Sequence, residues 1–472
     1  MPPFRDEVIF VISTGSQYTR VQYGLPESLT PAQTRVPTKV YRIPSAEKND
    51  PQFVLDGMDE SVAVYPIVEG EIVDLAALQY LMETLYKRAI KSAPDVLPYS
   101  PVLFTCNAEW RPQQIEALVN HMFTHARVPA ITTIPESLSA VFAHALDTAL
   151  VVNIGASKTE ITPVVEYTIA DRAVTVLHGG VGGDAINAHL AQLLPSFTPG
   201  QVEALKRSNI YEILVDKSVN HFFGEPNAPP SGHVGLGGGD SLEDEGIVDV
   251  VAIVASGNAR EVLAQREQQK RNAKLNEPVK RNAELARNSF IDASSGRTIE
   301  VGTERFHGAE ELIERIALGV WDVINKIDEI PRRGECWENI ILVGGPTAIK
   351  GFTEYMLLTL QERFMVNRAV TFSEMPSGFN TPGINTPPPP MTHSHMLPAG
   401  HGQVPTNIRI AKMADYFIGW KGHSWEDAQF LGSQIAAKQI FTPGIANIDG
   451  GYVSREDYAE RGAKEIWNLT LF

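Results

Sequence analysis

Apolar and polar positions follow one another along this chain in short blocks. Val8-Ile9-Phe10-Val11-Ile12 is a continuous apolar run of strand length, and Thr19-Arg20-Val21-Gln22-Tyr23 is a second β-prone run. The link between them, STGSQY, is a short Gly/Ser turn, so the pair predicts a β-hairpin. The spacing then lengthens. Leu75, Leu78, Leu81, Met82 and Leu85 recur at helical period and predict a helix over 75–90. PVLFTC (101–106) predicts a buried strand. Residues 110–128 are amphipathic, with Pro112 suited to a first helical turn, and IPESLSAVFAHAL opens another helix.

The opening arrangement returns at TALVVNIGASKTEITPVVEY (148–167), again strand, glycine turn, strand. Two hairpins with similar turns thus open successive segments, which suggests an internally duplicated α/β architecture. HGGVGGDAINAHLAQLL (178–194) runs from a Gly-rich turn into a helix. NIILVGGPTAIKGFTEYMLLTL (339–360) reads strand, Gly344-Gly345, helix.

Three tracts interrupt this order. Residues 224–246 are Gly/Pro-rich and acidic, and 373–406 contain NTPPPPMTHSHMLPAGHGQ; neither has the apolar content to fold alone, and mobile loops are expected. Residues 257–287 are polar and net basic, which suits a solvated helix or a partner-binding arm.

Composition narrows the function. The chain has 472 residues, 43% hydrophobic, enough for two or more cores. Its formal net charge of −16 argues against direct contact with nucleic acid, which needs a surplus of Lys and Arg. No run is long and apolar enough for a membrane span, and the N-terminus lacks the pattern of a signal peptide. The two cysteines, Cys106 and Cys336, have no ligand spacing and read as reduced thiols of an intracellular protein.

The glycine turns are the candidate chemistry. Small-residue turns expose backbone N–H groups that can cradle phosphate, and Gly15-Ser16 and Gly155-Ala156-Ser157 fit that description. Gly344-Gly345 would let backbone approach an adenine or ribose closely. Hydrolysis needs more: carboxylates for a divalent metal and a group that activates water. The first turn offers Ser13 and the second Asn153, neither of them acidic. Asp184, after Gly183, is the carboxylate expected nearest to any of these turns, and it reads at least as well as a helix N-cap or first-turn acid. No catalytic residue and no metal site are expected.

With these turns in order, the chain resembles actin and its relatives. FVISTGSQYTRVQYG resembles the first phosphate loop of that family, LVVNIGASKTEITPVVEY the second, and ILVGGPTAIKGF the adenosine loop. YPIVEGEIVD (65–74), GRTIEVGTERFHGAEELI (296–313) and FLGSQIAAKQIF with YVSREDYAERGAKEIW match in the same order. Within the family the opening PFRDEVIFVIS, the inserted ASGNAREVLAQRE and the closing REDYAERGAKEIWNLTLF are similar to the nuclear subclass nine of fungal SWI/SNF- and RSC-type remodellers.

That resemblance implies an α/β, actin-like fold of two lobes, each on an RNase H-like sheet, around a central cleft. The first lobe would span 1–146, with a small subdomain at about 35–65. The second would span 147–427 and carry the three insertions, and 428–472 would return to the first. The family's acids fall at Ser13, Asn153 and Ala156, its water-orienting glutamine at Ser139 and its first-loop lysine at Arg20. The cleft would then be degenerate, lined by Gly15, Ser16, Gln17, Asn153, Gly155, Gly182, Gly183, Gly344 and Gly345. No cofactor is required, and ATP held without hydrolysis stays open as a structural ligand.

The resemblance also implies a non-catalytic remodeller subunit in the nucleus. It would pair with a second actin-related protein and dock on the helicase/SANT-associated helix of the ATPase subunit, among other remodeller subunits. Glu166, Tyr167, Ile435, Ala436, Gln439, Ile440 and Phe441 would line the groove that receives a helix; the near-helical spacing of Ile435, Ala436, Gln439 and Ile440 suits such a contact and suits core packing equally. The alternative is an actin-fold nucleotide-binding protein with residual ATPase activity. The 40–64 segment has no match to the family's filament-contacting loop, which argues against polymerisation.

Overall fold

Phe10–Thr14 is a strand with every residue buried, which places it in the middle of a sheet. Its apolar run feeds two cores because side chains alternate across a strand. Phe10 and Ile12 join one hydrophobic cluster with Leu78, Leu81, Val102 and Phe104. Ile9 and Val11 join another with Leu103, Ile134, Val141, Val151 and Val343. The computed structural model describes residues 4–43, 52–57, 59–91, 99–215, 281–292, 295–365, 404–420, 423, 425–442 and 450–469.

The first sheet has six strands in the order Val453–Ser454, Ala130–Pro135, Val102–Cys106, Phe10–Thr14, Tyr18–Tyr23, Thr34–Pro37. Ala130–Pro135, Val102–Cys106 and Phe10–Thr14 run parallel, and the hairpin and edge strands are antiparallel. The second sheet repeats the scheme: Ala149–Ile154 forms a hairpin with Thr159–Val165 and pairs in parallel with Ile340–Val343. Thr168–Ile169 and Thr175–Leu177 extend it. The expected duplication of strand, turn and strand is therefore present as two sheets with the same local pairing.

Helices Glu136–His144 and Ala428–Phe441 bring residues of both sheets into one core. They cross so closely that a β-carbon on Gly432 would overlap the carbonyl of Ser139. Leu75–Lys91 packs on the opposite face of the first sheet, burying Leu78, Leu81, Met82 and Leu85, each a contribution of roughly 1.5–3 kcal/mol for a fully buried side chain. Pro112–His121 begins at the expected proline and runs into a π turn, Met122–Ala126, which ends at Arg127 with φ 58°. Between 40 and 64 lies a small three-stranded sheet of Gln52–Val54, Val40–Ile43 and Ala63–Val64.

The chain divides into two compact units, Met1–Ser196 with Gly308–Phe472, and Phe197–His307. Both large sheets, expected in separate lobes, fall within the first unit. The second unit is organised around Arg305, which has no exposed surface. Its guanidinium donates to the carbonyls of Asn282 at 2.7 Å and Leu285 at 2.6 Å, to that of Gly302, and to Asn282 Oδ1 at 3.0 Å. Asn282 in turn donates to the carbonyl of Ile210 at 2.8 Å. The tract 224–246 lies outside the described residues. So do 257–280 of the second tract and 373–403 of the third. Asn282–Glu284 is a single 3-10 turn.

Candidate functional site

The two hairpin turns are built alike. Gly15 N donates to Tyr18 O at 3.0 Å, and Gly155 N donates to Lys158 O at 2.9 Å. Across the first hairpin Ser13 faces Arg20, and across the second Asn153 faces Glu160. A β-carbon on Gly15 would meet Tyr18 O at 3.3 Å, and one on Gly155 would meet Lys158 O at 3.1 Å. The turns themselves are thus tight at both glycines, where an added side chain would need the facing carbonyl to give by a few tenths of an ångström. Ser16 Oγ accepts from Gly70 N at 2.8 Å, and Gln17 O accepts from Thr38 N at 2.9 Å.

Gly182 and Gly183, expected to line the cleft, begin a helix whose first N–H groups are spent inside the protein. Gly183 N donates to Gly155 O at 3.0 Å, and Asp184 N to Ala156 O at 2.7 Å. Gly182 lies against the same turn: a β-carbon there would fall 2.5 Å from Ala156 O. Asp184 sits in the first turn of Gly183–Leu193 and is exposed. Gly344, at φ 100°, packs on Ile154, where a β-carbon would overlap the carbonyl; Gly344 N donates to Glu426 O at 3.0 Å. Gly345 has open space beside it.

The groups that face one another near the turns differ from those expected. Ser139 is fully buried. Its Oγ donates to Pro135 O at 3.2 Å and lies 3.2 Å from Ser433 Oγ, in the helix crossing. It does not face the turns. Glu136, one helical turn earlier, does: Asn153 Nδ2 donates to Glu136 Oε2 at 2.9 Å. Glu160 is 3% exposed; its Oε1 accepts from Thr162 Oγ1 at 3.0 Å, and its Oε2 has no hydrogen-bond partner. Carboxyls are therefore present, at positions where the sequence reading placed none, and Asp184 is not the nearest of them.

Their environment opposes ionisation. Desolvation, and then the charge of Glu160, push Glu136 up to about 7, against Arg20, Lys158 and the Asn153 hydrogen bond. Glu160 is raised by burial and by Glu109, against Thr162 and Lys158. Cys106 is pushed up to about 12 by burial and by the same two carboxyls, so it remains a thiol. Arg20 is held in an ion pair with Asp427.

Lys158 fills the space beside the second turn. Only 8% of its side chain is exposed; Nζ donates to Asn107 Oδ1 at 3.2 Å and pairs with the Glu109 carboxylate. His178 Nε2 lies 3.0 Å from the other oxygen of Glu109. A β-carbon on Gly70 would overlap the end of the lysine. Glu109, Glu136, Lys158 and Glu160 are the residues that reading the sequence missed. Hairpin register alone pairs Glu160 with Asn153, so that one was within reach. Among the described residues no group of three or more His, Cys, Asp or Glu could hold a metal. These residues do not fit a magnesium nucleotide: the helix N–H groups are satisfied, and the charged side chains converging on the turns are mostly acids.

The expected helix-binding groove needs a correction. Ala436, Ile440 and Phe441 are 0%, 5% and 2% exposed and belong to the core between the sheets. The helix Ala428–Phe441 has apolar residues on most of its faces because it is packed between two sheets, so its spacing did not mark a surface. Ile435 and Gln439 are half-buried. Tyr167 is 39% exposed, has φ 60°, and stacks on Phe142 with ring centroids 5.4 Å apart. Glu166 is exposed and pairs with Arg332.

Comparison with known proteins agrees with this architecture. Residues 5–221 match the family model described as Actin. The chain is 27% identical over 545 aligned residues, covering 99% of each chain, to a Schizosaccharomyces pombe protein named SWI/SNF and RSC complexes subunit arp9. It is 26% identical over 186 residues, 39% of this chain and 42% of the other, to the SWI/SNF and RSC complexes subunit arp42 of the same organism.

Proposed function

We propose that this chain, an actin-related protein of actin-like fold, serves as a non-catalytic subunit of an ATP-dependent chromatin-remodelling complex of SWI/SNF or RSC type in the nucleus. The observation that carries this is the similarity along 99% of both chains to a protein named as a subunit of those complexes. The site chemistry supports a role without turnover. The hairpin turns are braced by glycine packing, Arg20 is held by Asp427, and buried carboxyls with raised pKa face the turns instead of a metal-binding set.

In this reading the motor belongs to another subunit. The chain pairs with a second actin-related protein and docks on a long helix of the ATPase subunit. The stacked Phe142 and Tyr167, together with the half-buried Ile435 and Gln439 and the exposed Glu166, are the residues proposed to receive such a helix. The lobes 1–146 and 147–427 with the 428–472 return belong to the same proposal. With a net charge of −16 the chain contacts DNA only through its partners.

One observation favours the alternative of residual hydrolysis: Glu136 beside Asn153 is a carboxyl with its pKa near neutrality, where a general base would work. The test is reconstitution of the purified chain with a second actin-related protein and the ATPase-subunit helix. A stoichiometric complex with no phosphate release from ATP is expected. Turnover by the chain itself, abolished by Glu136→Gln, would overturn the non-catalytic reading.

A further inference from the structure

Lys158 lies in a gap where the second hairpin turn meets two other segments, the turn carrying Gly70 and the loop carrying Asn107 and Glu109. Each side of the gap is fixed independently. Gly70 N donates to Ser16 Oγ at 2.8 Å, and Gly70 O accepts from Trp110 Nε1 at 3.0 Å. Glu109 is anchored by His178 and its N–H by Asn107 Oδ1 at 3.2 Å. The turn is closed by Gly155 N on Lys158 O and braced by Gly183 N on Gly155 O. Lys158 crosses between these fixed parts. Its end lies over the bare α-carbon of Gly70, at φ 81°, where any side chain would overlap it.

The titratable groups around the Lys158 ammonium are mainly carboxyls. From the 107–109 segment comes Glu109, from the second strand of the hairpin Glu160, and from the helix Glu136–His144 the residue Glu136. Asn107 and Asn153 add neutral amides. His178 faces Glu109 from the other side, and Arg20 is held by Asp427. A polyphosphate entering here would have to displace Lys158 and then meet Glu109. A buried ammonium, for its part, is tolerated only where a carboxylate and hydrogen bonds replace its water.

We propose that this gap is a built ammonium site whose ligand is the chain's own Lys158, which links the second hairpin to the Gly70 turn and the 107–109 loop. Shortening the side chain leaves a site selective for a primary alkylammonium over a nucleotide phosphate. The proposal stands on these contacts and does not depend on the remodeller reading, so the two can fail separately.

The first test uses the unaltered full chain: acetylation by a water-soluble reagent, with sites quantified by mass spectrometry. Lys158 is expected to react at least about tenfold more slowly than Lys87 and Lys326, as suits a lysine desolvated in an ion pair. Their side chains are 50% and 43% exposed. Reaction of Lys158 at their rate overturns the proposal. The second test is Lys158→Ala. Its melting temperature is expected to fall and to recover with n-propylammonium chloride, which replaces the deleted atoms, but not with n-propanol or sodium chloride at equal ionic strength. An equal amine effect on the unaltered chain, or stabilisation of the variant by magnesium ATP in place of the amine, overturns it. If the variant does not fold, Glu109→Gln decides by its acetylation rate: Lys158 should then be labelled faster.

Discussion

Asn153 donates its amide hydrogen to Glu136 at 2.9 Å, tying the second hairpin to the first turn of the helix that packs between the sheets. Glu136 is desolvated and stands near Glu160, so its pKa in the folded protein is pushed up to about 7 from 4.5. The sign follows directly. A carboxyl that holds its proton more tightly when folded stabilises the fold below its unfolded pKa, and this contribution is lost as pH rises through the folded value. Glu136→Gln keeps an acceptor for Asn153 and removes the ionisation. Urea unfolding between about pH 5 and pH 8 should show the variant gaining stability relative to the unaltered chain as pH rises, at about 1.4 kcal/mol per unit of pKa shift. Parallel stability curves would show that Glu136 does not titrate in this window.

Gly432 and Gly345 each lie beside a small residue, in LGS and GGP, yet their neighbours in space differ. A β-carbon at Gly432 would overlap the Ser139 carbonyl, whereas one at Gly345 meets nothing within 4 Å. Gly432→Ala should force the two central helices apart, costing about 3 kcal/mol or more. Gly345→Ala should change stability by less than about 0.5 kcal/mol. Chemical denaturation of the two variants side by side checks the contrast.

Arg305 holds the Phe197–His307 unit by donating to three main-chain carbonyls and to the Asn282 side chain. Lysine keeps the charge but cannot reproduce the planar fork, so Arg305→Lys should cost about 2–4 kcal/mol through unsatisfied carbonyls. Limited proteolysis should then cut within 197–307 sooner than in the unaltered chain, with the first unit spared.

Of the residues proposed to receive the helix, Tyr167 and Ile435 combine apolar surface with exposure. Tyr167→Asn suits the left-handed backbone at this position, where φ is 60°, and Ile435→Gln keeps helix propensity. The pair should cost no more than about 1 kcal/mol in stability. Binding to the helix of the ATPase subunit should weaken at least about tenfold, which is 1.4 kcal/mol. Unchanged affinity by titration calorimetry would move the partner to another face.

Much of the architecture was legible because it depends on local pattern. The apolar runs at 8–12 and 149–154 predict strands buried on two faces; the first strand is Phe10–Thr14, with Val8 closing the 3-10 turn Asp6–Val8, and the tight glycine turns after both runs close hairpins. Pro112 and the helical spacing over 75–90 mark helices by constraints that act within a few residues. Hairpin register also sets Ser13 opposite Arg20 and Asn153 opposite Glu160.

What the tertiary structure alone decided is where side chains from distant segments meet. Ser139 and Glu136 are a single helical turn apart, and only packing against Ala428–Phe441 turns the first into the core and leaves the second beside Asn153. The same helix could present Ala436, Ile440 and Phe441 to a partner or to the interior; two sheets closing on it put them inside. Lys158 reads in sequence as one more polar turn residue, and it becomes a buried cation because Gly70, Asn107 and Glu109 arrive from other parts of the chain. Periodicity records the conformation of a segment, because neighbouring residues share one backbone. The partners of a charge are set by long-range packing, which no local pattern encodes.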